Sequence, residues 1–298
     1  MTNSWIPALV LCFWAVGCST SSQSSKDRVE DLFDVDRIRM MGMGTAWEFE
    51  WQTPQGQPLG AANRQLLEHA LRLSLEQWEL ATSDWTQESE LRRLEQRGLK
   101  RCQKAGPKLL RALRLSQLAH EQSEGRFDPA VGAKLWGGDL VPGSFGSLIL
   151  RSDSFCFSKD PKRLSFGGIV KGAVLGEWAF VALSAGLQNF RMSSGGSSVV
   201  LGPGASRFWP ESALVNQSPG QLVSVSRSQV REKDAQAIWD PRSDSQVPVG
   251  RKSTVVCSME STDFESLLQL GALTDAWSTV RVIDPEWTLP GSCKAVDP

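Results

Sequence analysis

The hydrophobic spacing changes several times along the chain, and this change constrains the fold more than any other feature of the sequence. Apolar residues from Asn63 to Trp78 and from Pro107 to Gln122 recur at the spacing of one helix face. Other runs, such as Ser147 to Phe157 and Asn189 to Leu201, have the composition of strands. Helices and strands in mixed order, without regular alternation, predict an α+β fold built on a mixed sheet.

Further segments complete this prediction. Arg37 to Trp51 is rich in apolar and aromatic residues and precedes a Thr-Pro-Gln-Gly turn, which indicates one strand followed by a loop. Val170 to Ala185 is predicted as a helix that Gly186 closes. The remaining predictions are strands at Gln221 to Val230 and Lys252 to Cys257, and short helices at Asp263 to Leu270 and Asp275 to Val282.

The N-terminus is typical of an exported protein. No charged side chain lies between Trp5 and Val16, a length that suits the apolar core of a signal peptide and falls short of a transmembrane helix. Small residues precede Cys18 and a Ser/Thr-rich stretch follows it, which resembles the bacterial lipobox and a flexible tether. We therefore expect lipid attachment at Cys18; the alternative is ordinary cleavage nearby, which leaves Cys18 as a free thiol.

These features predict three regions. Residues 1-18 form a lipoprotein-type signal peptide with its lipobox, residues 19-35 a flexible tether, and residues 36-298 one sizeable soluble domain. No later stretch is long and apolar enough to span a bilayer. The expected protein is an exported, membrane-anchored lipoprotein that faces the periplasm or the cell exterior.

The charge balance argues against some partners. With 32 basic and 33 acidic side chains the formal net charge is −1, which gives no electrostatic reason to bind nucleic acid or an anionic membrane surface. Any anionic ligand must therefore be bound by a local group of residues.

Four cysteines follow the leader, at Cys102, Cys156, Cys257 and Cys293, and none forms a CxxC pair. Their wide spacing indicates neither a zinc site nor a compact disulfide framework. An exported chain allows one or two disulfides, and the sequence leaves the pairing open.

A glycine-rich segment, Gly167 to Gly172, lies between a strand-like run and a predicted helix and contains Lys171. Glycines allow close backbone approach and a helix N-terminus offers free N–H groups, so this segment is a candidate phosphate site. The alternative is an ordinary structural turn. Ser193 to Ser197, with Gly195 and Gly196 inside it, could form a second backbone surface against a ligand or simply a tight turn.

Two further groups carry oxygen ligands. Asp275 and Thr279 are four residues apart on a predicted helix, so both can face a hard cation such as Mg²⁺, although an N-cap or a solvated face explains the same spacing. Phe127 to Gly132 is a turn-rich segment with a carboxylate at Asp128, and alone it indicates only a structured loop.

Taken together and in this order, these segments resemble the ApbE family, the FAD:protein FMN transferases, which are typically exported and often lipid-anchored. The resemblance covers most of the mature chain and includes the segments already described. It also includes Met43-Gly44-Thr45, Ser89-Glu90-Leu91, the paired glycines Gly195-Gly196, and the turn Asp240-Pro241-Arg242.

The resemblance implies a fold, a ligand and a reaction. The fold is an ApbE-like (T-fold-like) mixed sheet with helices and a flavin-binding cleft in residues 36-298. FAD would be the substrate, and FMN would pass to a serine or threonine of an exported acceptor protein with release of AMP. The implied catalytic residues are Lys171 and Asp275, and Mg²⁺ would be held by Asp275, Thr279 and the Val170 carbonyl. The implied contacts to the cofactor are Met43, Glu90, Asp128, Gly168, Lys171, Gly195 and Gly196.

The sequence departs from the family pattern at reactive positions. Ser165 and Gly176 stand where the family usually has aspartates, Ala237 stands where a histidine commonly lies, and Arg227 falls in a loop that usually ends in glycine. Arg227 could contact a phosphate or block the site. The alternative to an active transferase is therefore a catalytically impaired periplasmic flavin-binding lipoprotein of the same fold, and a third possibility is a lipoprotein without a small ligand.

Overall fold

The computed structural model describes residues 33–54, 58–205, 209, 220–232 and 238–296. The predicted signal peptide, its Cys18 and Ala237 lie outside the described residues, as does the predicted tether up to residue 32. Within the described part of the chain, no helix combines the length and the apolar character needed to cross a membrane.

Twelve strands lie in the described residues and form three antiparallel sheets. The large sheet has seven strands in the order β1-β2-β6-β7-β8-β11-β12, and the small sheets have the orders β3-β5-β4 and β10-β9. The strands are β1 (Phe33–Gly42), β2 (Thr45–Pro54), β3 (Gln103–Lys104), β4 (Leu148–Leu150), β5 (Ser154–Phe157), β6 (Phe190–Ser194), β7 (Ser198–Leu201), β8 (Leu222–Gln229), β9 (Trp239–Asp240), β10 (Ser245–Gln246), β11 (Lys252–Met259) and β12 (Cys293–Ala295).

Helices cover one face of the large sheet. They are α1 (Ala61–Thr82), α2 (Glu90–Arg97), α3 (Pro107–Gln122), α4 (Gly132–Leu135), α5 (Val170–Ser184) and α6 (Phe264–Ile283). Short 3₁₀ turns lie at Pro129–Val131 and Phe145–Ser147. The α+β class with a mixed arrangement of helices and strands, expected from the sequence, is confirmed, with antiparallel pairing throughout the large sheet.

The central helix α5 is buried on most of its surface, because it lies between the sheet, α1 and α6. Its Trp178 is fully buried, with its ring centroid 5.3 Å from that of Trp47 on β2. The indole Nε1 of Trp178 donates a hydrogen bond to the Leu71 carbonyl of α1. A helix that is apolar all round must be buried in this way, which explains why α5 forms the centre of the core.

Several predicted elements were wrong. The strands expected from Ser147 to Phe157 and from Asn189 to Leu201 are each two antiparallel strands, β4 with β5 and β6 with β7. The single strand expected from Arg37 to Trp51 is the hairpin of β1 and β2, which turns at Met43 and Gly44 with φ values of 49° and 69°. The two short helices expected near Asp263 and Asp275 are one continuous helix, α6. The sequence hid the turn because apolar residues continue across it. The two expected helices lie within α6, and the residues between them, including Gly271, are helical as well.

The cysteines form two disulfides, Cys102–Cys156 and Cys257–Cys293. Cys257 and Cys293 lie opposite each other on β11 and β12, so this bond fastens the last strand to the edge of the large sheet. Cys102–Cys156 joins the segment before β3 to β5 of the small sheet.

Candidate functional site

A cleft of about 830 Å³ opens where the glycine segment before α5, the turn-rich loop before α4 and the end of β8 meet. Six residues singled out from the sequence line it together. They are Asp128, Gly168, Lys171, Gly195, Asp275 and Thr279.

The N-terminus of α5 forms one wall of this cleft. Ile169, the N-cap residue, provides no side-chain hydrogen bond to the first turn, and Lys171 extends from that turn to donate from Nζ to the Ser197 hydroxyl at 3.1 Å. A Cβ atom on Gly168 would lie 3.2 Å from Thr279 Oγ1 and 3.3 Å from the Phe127 ring. A glycine here therefore keeps the backbone accessible, as an anion site at a helix N-terminus requires.

Asp275 lies on α6 and is held by three elements at once. Its Oδ1 accepts hydrogen bonds from the hydroxyls of Ser226 on β8 at 2.9 Å and Ser198 on β7 at 3.2 Å. Its Oδ2 accepts a long contact of 3.4 Å from the backbone N–H of Gly172 on α5. The two alternatives that the spacing left open, a solvated face and an N-cap, do not apply: Asp275 lies within α6 and is only 4% exposed, because α6 packs directly on the sheet and on α5.

A row of hydroxyls connects Asp275 with Thr279. The Ser278 hydroxyl lies 3.2 Å from that of Ser226 and 2.7 Å from that of Ser228, which in turn lies 3.2 Å from Thr279 Oγ1. Sequence reasoning missed these serines. The signal was the alternation of serine with other residues along β8, at 224, 226 and 228, because alternate side chains of a strand face the same side.

The oxygen atoms at Asp275 and Thr279 suit Mg²⁺. The donors at Asp275 and Thr279 are oxygens, which Mg²⁺ prefers, and Asp275 Oδ2 makes only the weak contact with Gly172. Among the described residues, no group of three or more His, Cys, Asp or Glu side chains could hold a metal. The site therefore fits Mg²⁺ of the kind bound by one carboxylate together with ligand phosphates and water, rather than an all-protein cage.

Four residues expected at the ligand do not occur among the described residues that line the cleft. Glu90 has a structural contact, since its Oε1 accepts the Gly106 N–H at 2.6 Å at the start of α3. Its contact with the cofactor stays a prediction. Met43 occupies the β1–β2 turn, and the side chain of Val170 is buried in the core. The expected role of the Val170 backbone carbonyl at Mg²⁺ stays a prediction. Gly196 lies in the β6–β7 turn beside Gly195, which does line the cleft next to Thr45.

Asp128 reaches the cleft but also has a local structural role. Its Oδ1 accepts the Ala130 N–H at 2.8 Å and so caps the 3₁₀ turn that follows. Burial raises the pKa of the Asp128 carboxyl, and this hydrogen bond and the nearby His120 oppose the shift.

The positions that depart from the family pattern have different surroundings. Ser165 lines the cleft, and so does Arg227, an exposed residue whose backbone N–H donates to the Ser197 carbonyl at 2.7 Å. Gly176 lies elsewhere, at the crossing of α5 and α6, where a Cβ atom would be 2.2 Å from the Leu267 carbonyl oxygen. A carboxylate therefore has no room at position 176.

Sequence reasoning also missed Asp84. Asp84 lines the cleft together with the neighbouring Trp85, in the loop between α1 and α2. The Trp85 ring meets that of Trp136 edge-on, with centroids 4.5 Å apart, on the same wall. No motif distinguishes this aspartate in the sequence, because its significance depends on a fold that brings it beside Ser165.

Comparison with known proteins agrees with this geometry. The fold resembles that of the flavin transferase ApbE from Vibrio cholerae, with a TM-score of 0.62 and 15% identity, over 89% of this chain and 97% of the other. It also resembles the flavinyl transferase ApbE of Pseudomonas stutzeri, with a TM-score of 0.61 and 17% identity, over 84% of this chain and 87% of the other. For the ApbE protein of Thermotoga maritima the TM-score is 0.56 at 16% identity, over 84% and 87% of the two chains.

No curated protein matches the sequence. The family model described as the ApbE family, however, matches residues 43–226, which is more than half of the chain. The protein belongs to the ApbE family.

Proposed function

We propose that this protein is a Mg²⁺-dependent FAD:protein FMN transferase, which moves FMN from FAD to a serine or threonine of an exported protein and releases AMP. Family membership and the solved flavin transferases with the same fold support this proposal. The observation that carries it is the meeting of Lys171, the open start of α5, Asp275 and Thr279 in a single cleft.

The cleft offers a place for the pyrophosphate of FAD at the start of α5. The positive end of the helix dipole and the side chain of Lys171 both favour an anion there. In the described part of the chain Lys171 has no acidic partner and bonds only to the neutral Ser197 hydroxyl, so its charge is available to a ligand.

Asp275 and Thr279 are the residues that would hold Mg²⁺, which when bound neutralises phosphate charge and orients the reacting groups. The serines of β7 and β8 keep the Asp275 carboxylate aimed from α6 at the glycine segment. This fixed orientation matters because phosphoryl transfer depends mainly on positioning and electrostatic stabilisation.

The proposed reaction forms one bond to phosphorus and breaks another. The hydroxyl oxygen of the acceptor forms a bond to the phosphorus on the FMN side of FAD, and the bond from that phosphorus to the oxygen of the AMP phosphate breaks. AMP leaves with the bonding electrons, and the hydroxyl gives up its proton.

A second candidate is a flavin-binding protein of the same fold without transferase activity. Both histidines of the chain are described, and neither lines the cleft: His69 is exposed on α1, and His120 hydrogen-bonds the Phe127 carbonyl through Nδ1. Because histidine is the commonest general base, this observation favours the second candidate unless another residue accepts the proton.

The test is incubation of the disulfide-bonded domain with FAD, MgCl₂ and a purified acceptor domain already established as a substrate of another flavin transferase. We expect in-gel flavin fluorescence on the acceptor, a mass gain of one FMN less water, and one AMP released per flavin. EDTA should remove all three signals and excess Mg²⁺ should restore them. Binding of FAD without AMP release would instead support the flavin-binding protein.

Export through a lipid anchor is also part of the proposal, and the leader and the two disulfides support it, because disulfides persist in oxidising compartments. A Cys18→Ser variant should lose metabolic labelling by palmitate and leave the membrane fraction. Equal labelling of variant and wild type would contradict attachment at Cys18.

A further inference from the structure

Asp84 places a carboxyl group beside the glycine segment. Asp84 and Ser165 line the same cleft, and the Ser165 hydroxyl, which lowers the pKa of the Asp84 carboxyl, would lie 3.7 Å from a Cβ atom on Gly167. The carboxyl group therefore lies next to the start of α5, where the pyrophosphate is proposed to bind. Trp85, the next residue, is 77% exposed, so this wall of the cleft is accessible from solvent.

The surroundings of Asp84 alter its basicity. Burial raises the pKa of the Asp84 carboxyl, while the Ser165 hydroxyl and the guanidinium groups of Arg163 and Arg92 lower it, and the effect of burial is the larger. Glu95 faces the same two arginines, and burial raises its pKa as well. A carboxylate with a raised pKa is a stronger base than an ordinary aspartate.

The other carboxylates of the cleft have different surroundings. Asp275 receives two serine hydroxyls, and Asp128 caps a 3₁₀ turn, so each is engaged in local structure. Glu232 is exposed to solvent. The sequence contains no tyrosine, and both histidines lie outside the cleft lining, which leaves Asp84 as the best placed proton acceptor.

We propose that Asp84 is a catalytic residue that accepts the proton of the attacking hydroxyl. As the hydroxyl oxygen bonds to the phosphorus on the FMN side and AMP leaves with its electron pair, the proton passes to the Asp84 carboxylate and later to water. This inference rests on the proposed transferase function. It gives a role to a residue that is not among those implied by the family resemblance.

The test compares the rate of FMN transfer at saturating FAD in wild type, Asp84→Asn and Asp84→Glu. Loss of a general base typically lowers the rate about 10²- to 10⁴-fold, so we expect a fall in kcat of that size in Asp84→Asn with the dissociation constant for FAD unchanged. Asp84→Glu should recover part of the rate. Glu88→Gln, which removes an exposed carboxylate from the same loop, is the matched control and should behave as wild type.

The pH profile separates catalysis from a structural role. In wild type, kcat should rise with pH through the raised pKa of Asp84, and this rise should be absent in Asp84→Asn. Because the Ser165 hydroxyl lowers the pKa of Asp84, Ser165→Ala should shift the rise to higher pH. If Asp84 only supported the loop, the Asp84→Asn and Ser165→Ala substitutions would not change the pH dependence of kcat.

The raised pKa of Asp84 also predicts how Asp84→Asn changes the stability of the protein. Since its folded pKa is raised, Asp84 contributes stability that is complete below its ordinary pKa and is lost as the pH rises through the raised value. Asp84→Asn should therefore melt no lower than wild type at pH 8, so a loss of rate there does not arise from unfolding.

The outcomes distinguish the two proposals. If wild type transfers FMN and Asp84→Asn does so at the same rate, or loses FAD binding without a change in kcat, the role of Asp84 is wrong and the transferase function stands. If wild type neither transfers FMN nor releases AMP, both proposals fail.

Discussion

Asp275→Asn should lower kcat for FMN transfer about 10³-fold, because it removes the only negative charge that Asp275 can offer to Mg²⁺ at the phosphates. Asparagine keeps an oxygen that can accept the hydroxyls of Ser198 and Ser226, so the packing of α6 on the sheet is retained. The measurement is the initial rate of covalent flavin transfer at several Mg²⁺ concentrations, together with the melting temperature.

The choice of asparagine follows from the burial of Asp275. Alanine would remove the carboxylate that accepts the Ser198 and Ser226 hydroxyls in a buried site, and the resulting loss of stability would be hard to separate from the loss of chemistry. Glu265→Gln, on the exposed start of the same helix, is the matched control. Wild-type activity in Asp275→Asn would exclude this carboxylate from the mechanism.

Patterns of local sequence predicted much of the fold. The helical spacing of α1 and α3 and the apolar length of α5 identified three helices close to their observed bounds. The turn at Met43 and Gly44 was hidden because apolar residues lie on both sides of it. The two short helices expected at Asp263 to Leu270 and Asp275 to Val282 are one helix, in which Gly271 is helical and its close contact with α5 requires glycine.

The residues of the candidate site could be predicted only where they lie within one short segment of the sequence. Lys171 follows glycines at a helix start, and Asp275 and Thr279 share one helix face, so spacing identified them as candidate phosphate and cation ligands. The roles proposed for them came from the resemblance to the ApbE family. Asp84 and Ser165 lie far apart in sequence and meet only in the folded chain. The structural contact of Glu90 could not be predicted for a related reason: the sequence indicates a carboxylate but not that the Gly106 N–H lies beside it.

The crossing of α5 and α6 links the stability of the fold to the geometry of the site. A Cβ atom on Gly172 would lie 2.0 Å from the Gly271 carbonyl oxygen, and one on Gly271 would lie 2.0 Å from the Gly172 carbonyl oxygen. Both obstructing atoms belong to the backbone, so no rotation of a side chain can relieve the overlap. Gly172 also donates its N–H to Asp275, so the distance between the helices sets the position of that carboxylate.

Gly172→Ala should therefore destabilise the protein by about 4 kcal/mol or more, above the 1–3 kcal/mol typical of an overfilled core, because the two helices must separate along their contact. Transfer activity should fall with it, since the separation moves Asp275 away from the start of α5. Denaturant unfolding followed by tryptophan fluorescence measures the first effect. Gly291→Ala, where an added Cβ atom meets nothing within 4 Å, is the control and should unfold as wild type does. A Gly172→Ala protein with wild-type stability would mean that the helices do not approach this closely.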